Sequence, residues 1–128
     1  MKKVLQILYV EDEPDIRAVT ELALEDEGFE LISCASGREA LDKAPGLKPD
    51  LILLDVMMPD IDGPTTLSKL RELPHLTDTP VIFMTAKVQA SEVEQYKAMT
   101  ALGVIGKPFD AMTLAGDIRA ILERSGGR

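Results

Sequence analysis

Residues Leu51–Pro64 read LILLDVMMPDIDGP, a run of apolar residues that stops on a carboxylate. Leu51 to Leu54 are apolar at successive positions. That suits a strand buried on both faces rather than one with a wet side. Asp55 is a poor continuation of such a strand. It is either punctuation at the surface or a chemical group, and the ends of the neighbouring strands decide which.

Outward from this stretch the same alternation recurs. Val4–Val10 is an apolar run that ends abruptly at EDEPD. Asp12 or Glu13 is suited to cap a helix with Pro14 in its first turn, in which Ile16, Val19 and Ala23 share a face until Gly28 stops it. FELISC precedes SGREALDKA, DLILLD precedes PTTLSKLREL, and PVIFMTA precedes ASEVEQYKAM. A last short strand near Val104–Gly106 leads into a helix lined on one side by Leu114, Ile118, Ile121 and Leu122, with Asp110 as its expected cap. Five βα units on short connections imply right-handed crossovers and an open, doubly wound α/β fold with a five-stranded parallel sheet. In such sheets ligands sit outside the carboxyl ends of the strands, near the point where strand order reverses.

The chain has 128 residues, 45% of them apolar. That is enough for one sizeable core and too little for two ordinary domains. One domain is expected over residues 1–124, with 125–128 as a flexible tail and no output domain following. A formal charge of -8 argues against a surface that seeks nucleic acid or anionic lipid by itself, and fits a cationic partner or a metal. Cys34 is the single cysteine. It has no disulfide partner or zinc framework, and reads as a small apolar core residue in a reducing compartment. The opening MKKVLQILYVEDEP places two lysines before an apolar run, but the run is short, contains Gln6 and ends in acids, so it reads as a strand and not a secretion signal. No segment approaches membrane-spanning length, and a soluble cytoplasmic protein is expected.

Glu11 and Asp12 follow the first strand, Asp55 closes the third, Thr85 closes the fourth and Lys107 follows the fifth. Three carboxylates in one cleft raise each other's proton affinity unless a cation joins them. Oxygen ligation by few carboxylates with retained water is the habit of Mg²⁺. A carboxylate so placed can act as a nucleophile toward a phosphoryl group, with the Lys107 ammonium and Thr85 hydroxyl available to its oxygens.

Four stretches, LYVEDEPDIR, LILLDVMMPDIDG, FMTA and GKPF, are weak singly. In this order, over essentially the whole chain, they resemble the CheY-like receiver domain of two-component response regulators, of the stand-alone type. The resemblance implies a (βα)5 flavodoxin-like fold with strand order 2-1-3-4-5. It also implies that Asp55 is the phosphoacceptor, Asp12 a direct Mg²⁺ ligand, Glu11 an outer member that holds metal through water, and Met57 a backbone-carbonyl ligand. Thr85 would be the switch hydroxyl, Lys107 the phosphoryl partner, and Lys107–Pro108 a cis bond. The implied donors are a histidine kinase or a histidine phosphotransfer protein, and the output is a downstream protein target or a phosphorelay. Such a domain catalyses its own phosphorylation and dephosphorylation without being a turnover enzyme.

Two positions depart from the family pattern. Val104 stands three residues before Lys107, where an aromatic ring is frequent, which puts a ring-based switch in question. Met57 and Lys87, two beyond Asp55 and Thr85, are poorly suited to position a hydrolytic water, so a long-lived phosphorylated state is expected.

Other readings carry less. A pseudo-receiver that binds partners without phosphorylation is the alternative, disfavoured because all five polar positions are filled. A haloacid dehalogenase-type phosphatase would carry a second Asp where Met57 stands, and EDEPD would repel a flavin phosphate. Aligning Gly63 with a calcium loop puts Met58 and Lys69 at ligand positions, so Asp60 and Asp62 read as loop acids, with Asp62 capping a helix that begins near Pro64. His75, in a Pro-bounded loop, reads as a surface residue. Tyr96, Met99 and Val93 read either as an adaptable partner surface or as packing against the sheet.

Overall fold

Successive side chains of a strand point to opposite faces of its sheet, so a strand apolar at every position needs a cover on both sides. The computed structural model of the chain, which describes residues 4–86, 90–99 and 101–124, has that arrangement. Strands β1 (Leu5–Val10), β2 (Phe29–Cys34), β3 (Leu51–Asp55), β4 (Val81–Thr85) and β5 (Gly103–Gly106) alternate with five helices. These are α1 (Pro14–Leu24), α2 (Gly37–Lys43), α3 (Gly63–Leu70), α4 (Ala90–Ala98) and α5 (Leu114–Arg124). The sheet is parallel in the order β2-β1-β3-β4-β5, as expected.

The odd and even residues of the strands divide the core in two. Leu8, Ile52, Leu54, Val81 and Phe83 pack with Ala40 of α2, Leu67 and Leu70 of α3 and Tyr96 of α4. Ile7, Leu51, Leu53, Ile82 and Met84 pack on the other face with Leu24 of α1 and Leu114, Ile118 and Ile121 of α5. Cys34 is buried in the first of these layers, and burial pushes its thiol up to about 11. That agrees with a packing role.

The helix ends show where local chemistry sets the boundaries. Asp62 caps α3, its Oδ1 accepting from Thr65 N–H at 2.8 Å, with Pro64 in the first turn. Ser36 caps α2 while the Glu39 side chain accepts from Ala35 N–H, close to a reciprocal capping box.

Three expectations are corrected. Neither Asp12 nor Glu13 makes a side-chain cap on α1; Glu13 sits at the cap position, and its own N–H donates to Glu11 Oε2 instead. That helix stops at Leu24 and not at Gly28, because Glu25 already takes an extended backbone and Asp26 then turns the chain through a left-handed one with φ 61°. Asp110 accepts from Met112 N–H and shapes a turn, so α5 begins only at Leu114.

The inward face of α1 also differs. Val19 is 47% exposed, whereas Thr20 and Leu24 are buried. Thr20 is satisfied there, accepting from the Tyr9 hydroxyl at 2.8 Å and donating to Ile16 O at 2.8 Å.

Lys87 and residues 125–128 lie outside the described residues, as does the Val93 side chain. Among the described residues no helix is long and apolar enough to cross a membrane.

Candidate functional site

β1 has β2 on one side and β3 on the other, so strand order reverses there. Parallel strands end together, and Val10 of β1 stands opposite Leu54 of β3. Glu11 and Asp12 therefore emerge beside Asp55. On the other side Asp55 is opposite Met84, Thr85 is opposite Gly106, and Lys107 follows. The register alone brings the five residues to one end of the sheet.

Carboxylate oxygens of Glu11, Asp12 and Asp55 lie within 4.8 Å of one another. Glu11 and Asp55 are buried, and Asp12 is half-buried. Lys107 reaches in from the end of β5, its Nζ 3.1 Å from Asp55 Oδ1 and 3.1 Å from Glu11 Oε1. The Lys107–Pro108 peptide is cis, as expected. The Lys107 N–H donates to Thr85 O at 2.8 Å, tying the fifth strand end to the fourth. Thr85 is buried at the close of β4.

The charges do not balance. Among the described residues, three carboxylates face one ammonium. Burial, then the neighbouring Glu11 carboxylate, pushes the Asp55 carboxyl up to about 7, with Lys107 pulling the other way. Burial alone would lower the proton affinity of Lys107, but its hydrogen bonds to Asp55 and Glu11 outweigh that and raise it. A site with spare negative charge and only oxygen donors fits a hard divalent cation, and this acidic cluster could hold one.

Met57 stands in the loop beyond Asp55 and is 65% exposed. That loop is fastened at both ends: Val56 N–H donates to Met84 O at 2.9 Å, and Gly63 N–H donates to Val56 O at 2.8 Å. Gly63 packs so closely on the strand end that an added Cβ would lie 2.4 Å from Asp55 O and 2.9 Å from Val56 Cα. A side chain there has no room.

Val104, half-buried, is opposite Phe83. The ring on Phe83 comes from α4: Tyr96 is buried with its centroid 5.1 Å away and a 50° tilt. Tyr96 therefore packs against the sheet. Met99 lines a groove of about 590 Å³ with Met57, Met58 and Tyr96. The His75 ring contacts Ala44 O at 3.0 Å and takes no part in the site.

Two contacts were not legible in the sequence. Lys107 is shared with Glu11 as well as Asp55, and the Arg17 guanidinium donates to the main-chain carbonyl of Glu11 at 2.8 Å. Only the placement of Arg17 on the first helix after the acidic pair hinted at the second.

The topology, the reversal at β1 and an acidic cleft entered by Lys107 define a flavodoxin-like domain with an acidic site at its strand ends. Comparison with known proteins gives the family. The response regulator receiver domain family matches residues 7–119, and the chain belongs to that family.

The chain is 36% identical over 94% of its length to the transcriptional regulatory protein CseB of Streptomyces coelicolor, covering 50% of that protein. It is also 36% identical to the alkaline phosphatase synthesis transcriptional regulatory protein PhoP of Bacillus subtilis, with 94% of this chain and 49% of that one covered. It thus spans about half the length of these relatives. Among solved structures, the chemotaxis response regulator CheY4 of Vibrio cholerae superposes with a TM-score of 0.87 at 32% identity, over 94% of this chain and all of that one (100%). The receiver domain of a histidine kinase from Syntrophus aciditrophicus gives 0.78 at 32% identity, over 94% and 91% of the two chains.

Proposed function

We propose that the chain is a Mg²⁺-dependent phosphoacceptor of two-component signalling that takes a phosphoryl group on Asp55 from a histidine kinase or a histidine phosphotransfer protein. The observation that carries this reading is the Asp55 carboxylate itself, buried at a strand end, 3.1 Å from the Lys107 ammonium and crowded by two further carboxylates.

In the reaction an Asp55 oxygen attacks phosphorus as the P–N bond to the donor imidazole breaks. The imidazole leaves with the bonding pair and takes a proton from solvent, and an acyl phosphate remains on Asp55. Asp12, Asp55 and the Met57 carbonyl would hold the cation directly and Glu11 through water, and bound Mg²⁺ would supply charge neutralisation for the phosphoryl oxygens. Lys107 then exchanges its carboxylate partner for a phosphoryl oxygen, and the Thr85 hydroxyl donates to another. Positioning and charge stabilisation are most of what phosphoryl transfer asks of a protein.

The chain gains and loses its own phosphoryl group and is not a turnover enzyme. The added charge biases the domain between two conformations. Output passes through a downstream protein target or onward to another histidine, without direct nucleic-acid contact or membrane insertion, in the cytoplasm.

The test is intact mass after incubation with acetyl phosphate, with and without Mg²⁺, beside Asp55→Asn. A Mg²⁺-dependent gain of one phosphoryl group, absent in the variant, is expected. No gain in folded protein, with a kinase donor tried as well, would leave a pseudo-receiver that works through binding alone.

A further inference from the structure

We propose that Arg17 is a positioning residue for the cation site: its guanidinium grips the main-chain carbonyl of Glu11 and so fixes the direction in which Glu11 and Asp12 project. This rests on the Mg²⁺ reading above.

Glu11 is fully buried and lies one residue beyond β1, where strand pairing runs out. Each of its polar atoms is nonetheless tied. Its N–H donates to Cys34 O at 3.0 Å. Its Oε2 accepts from Glu13 N–H at 3.2 Å and its Oε1 from Lys107 at 3.1 Å. Its carbonyl accepts from Arg17 Nη1 at 2.8 Å. Without that last bond a buried carbonyl loses its donor.

Of the two side chains that hold Glu11, Lys107 belongs to the cleft and must be free to change partner when phosphate arrives. Arg17 is not in the cleft. It stands on α1, where its own N–H makes the first helical bond to Glu13 O at 3.0 Å. Its charge also reaches Glu39 of α2, whose carboxylate holds Ala35 N–H at 2.8 Å. The guanidinium is thus anchored on the loop that leaves β1, and a planar, always-charged donor is suited to hold a carbonyl in one direction. Loss of an outer group that orients metal ligands typically costs roughly ten- to a hundredfold in affinity.

The sign of the effect separates this role from simple charge. Arg17 is a cation near an acidic cluster, so removing it should tighten Mg²⁺ binding if charge alone mattered. Loss of positioning should weaken it. The experiment measures the Mg²⁺ Kd by calorimetry for the unsubstituted protein, Arg17→Gln, Arg17→Met and Arg17→Lys, with circular dichroism and Tm for each and acetyl phosphate rates across Mg²⁺ concentrations.

Arg17→Gln and Arg17→Met should bind Mg²⁺ about tenfold more weakly. Arg17→Lys, which keeps a charged donor, should recover most of that loss. At saturating Mg²⁺ the phosphorylation rate should return close to that of the unsubstituted protein. Should one of the neutral variants fail to fold, the other decides. A Kd that is unchanged or tighter, even with a lower Tm, would overturn the positioning role and leave a structural one. An unsubstituted protein that binds no Mg²⁺ would overturn the cation reading along with it.

Discussion

Asp50 and Asp55 bracket the same buried strand, five residues apart, and meet opposite surroundings. At the entry to β3 the Asp50 side chain accepts from Gln6 N–H at 2.8 Å while its own N–H donates to Gln6 O at 2.7 Å. The acid there serves the backbone. At the exit Asp55 meets Glu11 and Asp12, with one shared ammonium. At this entry the acid finds a backbone donor on the neighbouring strand, whereas at the exit the register brings it up against other acids. The same residue type is a fastener at one end and the centre of an acidic cleft at the other.

The sharpest break in that comparison is chemical. Asp55→Asn should abolish the mass gain from acetyl phosphate, and Asp50→Asn should leave it intact while costing about 1 kcal/mol of stability in urea unfolding. Next in size is the ammonium. Lys107→Met leaves Glu11 and Asp55 facing each other without a cation and should cost about 3 kcal/mol. The loss should be larger at pH 8 than at pH 5, because Asp55 can take a proton at the lower pH.

A smaller effect follows from linkage. The Asp55 carboxyl titrates at about 7 in the folded protein against 3.8 when unperturbed. Between those values the folded state holds a proton that the unfolded chain has lost. Its contribution to stability is full below 3.8 and disappears as pH rises through about 7. Metal-free protein should therefore lose stability progressively over that window in urea unfolding. Asp55→Asn should flatten the slope, Asp50→Asn should keep it, and Mg²⁺ should reduce it. The smallest effect concerns phosphate lifetime. Met57→Asn, which puts a water-binding side chain beside the acceptor, should shorten it about threefold as followed by intact mass.

The strands were legible because buried parallel strands leave little choice of residue: LILL and VIFM are apolar at every position and each is followed by a polar residue, while their order came only with the receiver-domain resemblance. Register then delivers the five site residues together. Helix phase was less legible. On α1 the polar Thr20 is buried because Tyr9 and Ile16 satisfy its hydroxyl, while the apolar Val19 faces outward. Polarity alone misleads when a hydroxyl has partners inside. Asp110 reads as a cap in the sequence, yet the chain uses it for a turn first. The grip of Arg17 on Glu11 joins a side chain to a carbonyl, and carbonyls carry no sequence signature.

Gly63 gives the site a mechanical side. Its missing side chain lets the first turn of α3 rest directly on the backbone of Asp55 and Val56, and its N–H closes the loop between them. β3 and α3 therefore meet without a compressible layer, as a lever meets its fulcrum. Any thrust on the backbone at Asp55 bears at once on the base of α3, and a methyl group introduced at residue 63 would act as a wedge. The site can thus be displaced from behind, by a residue that never touches phosphate.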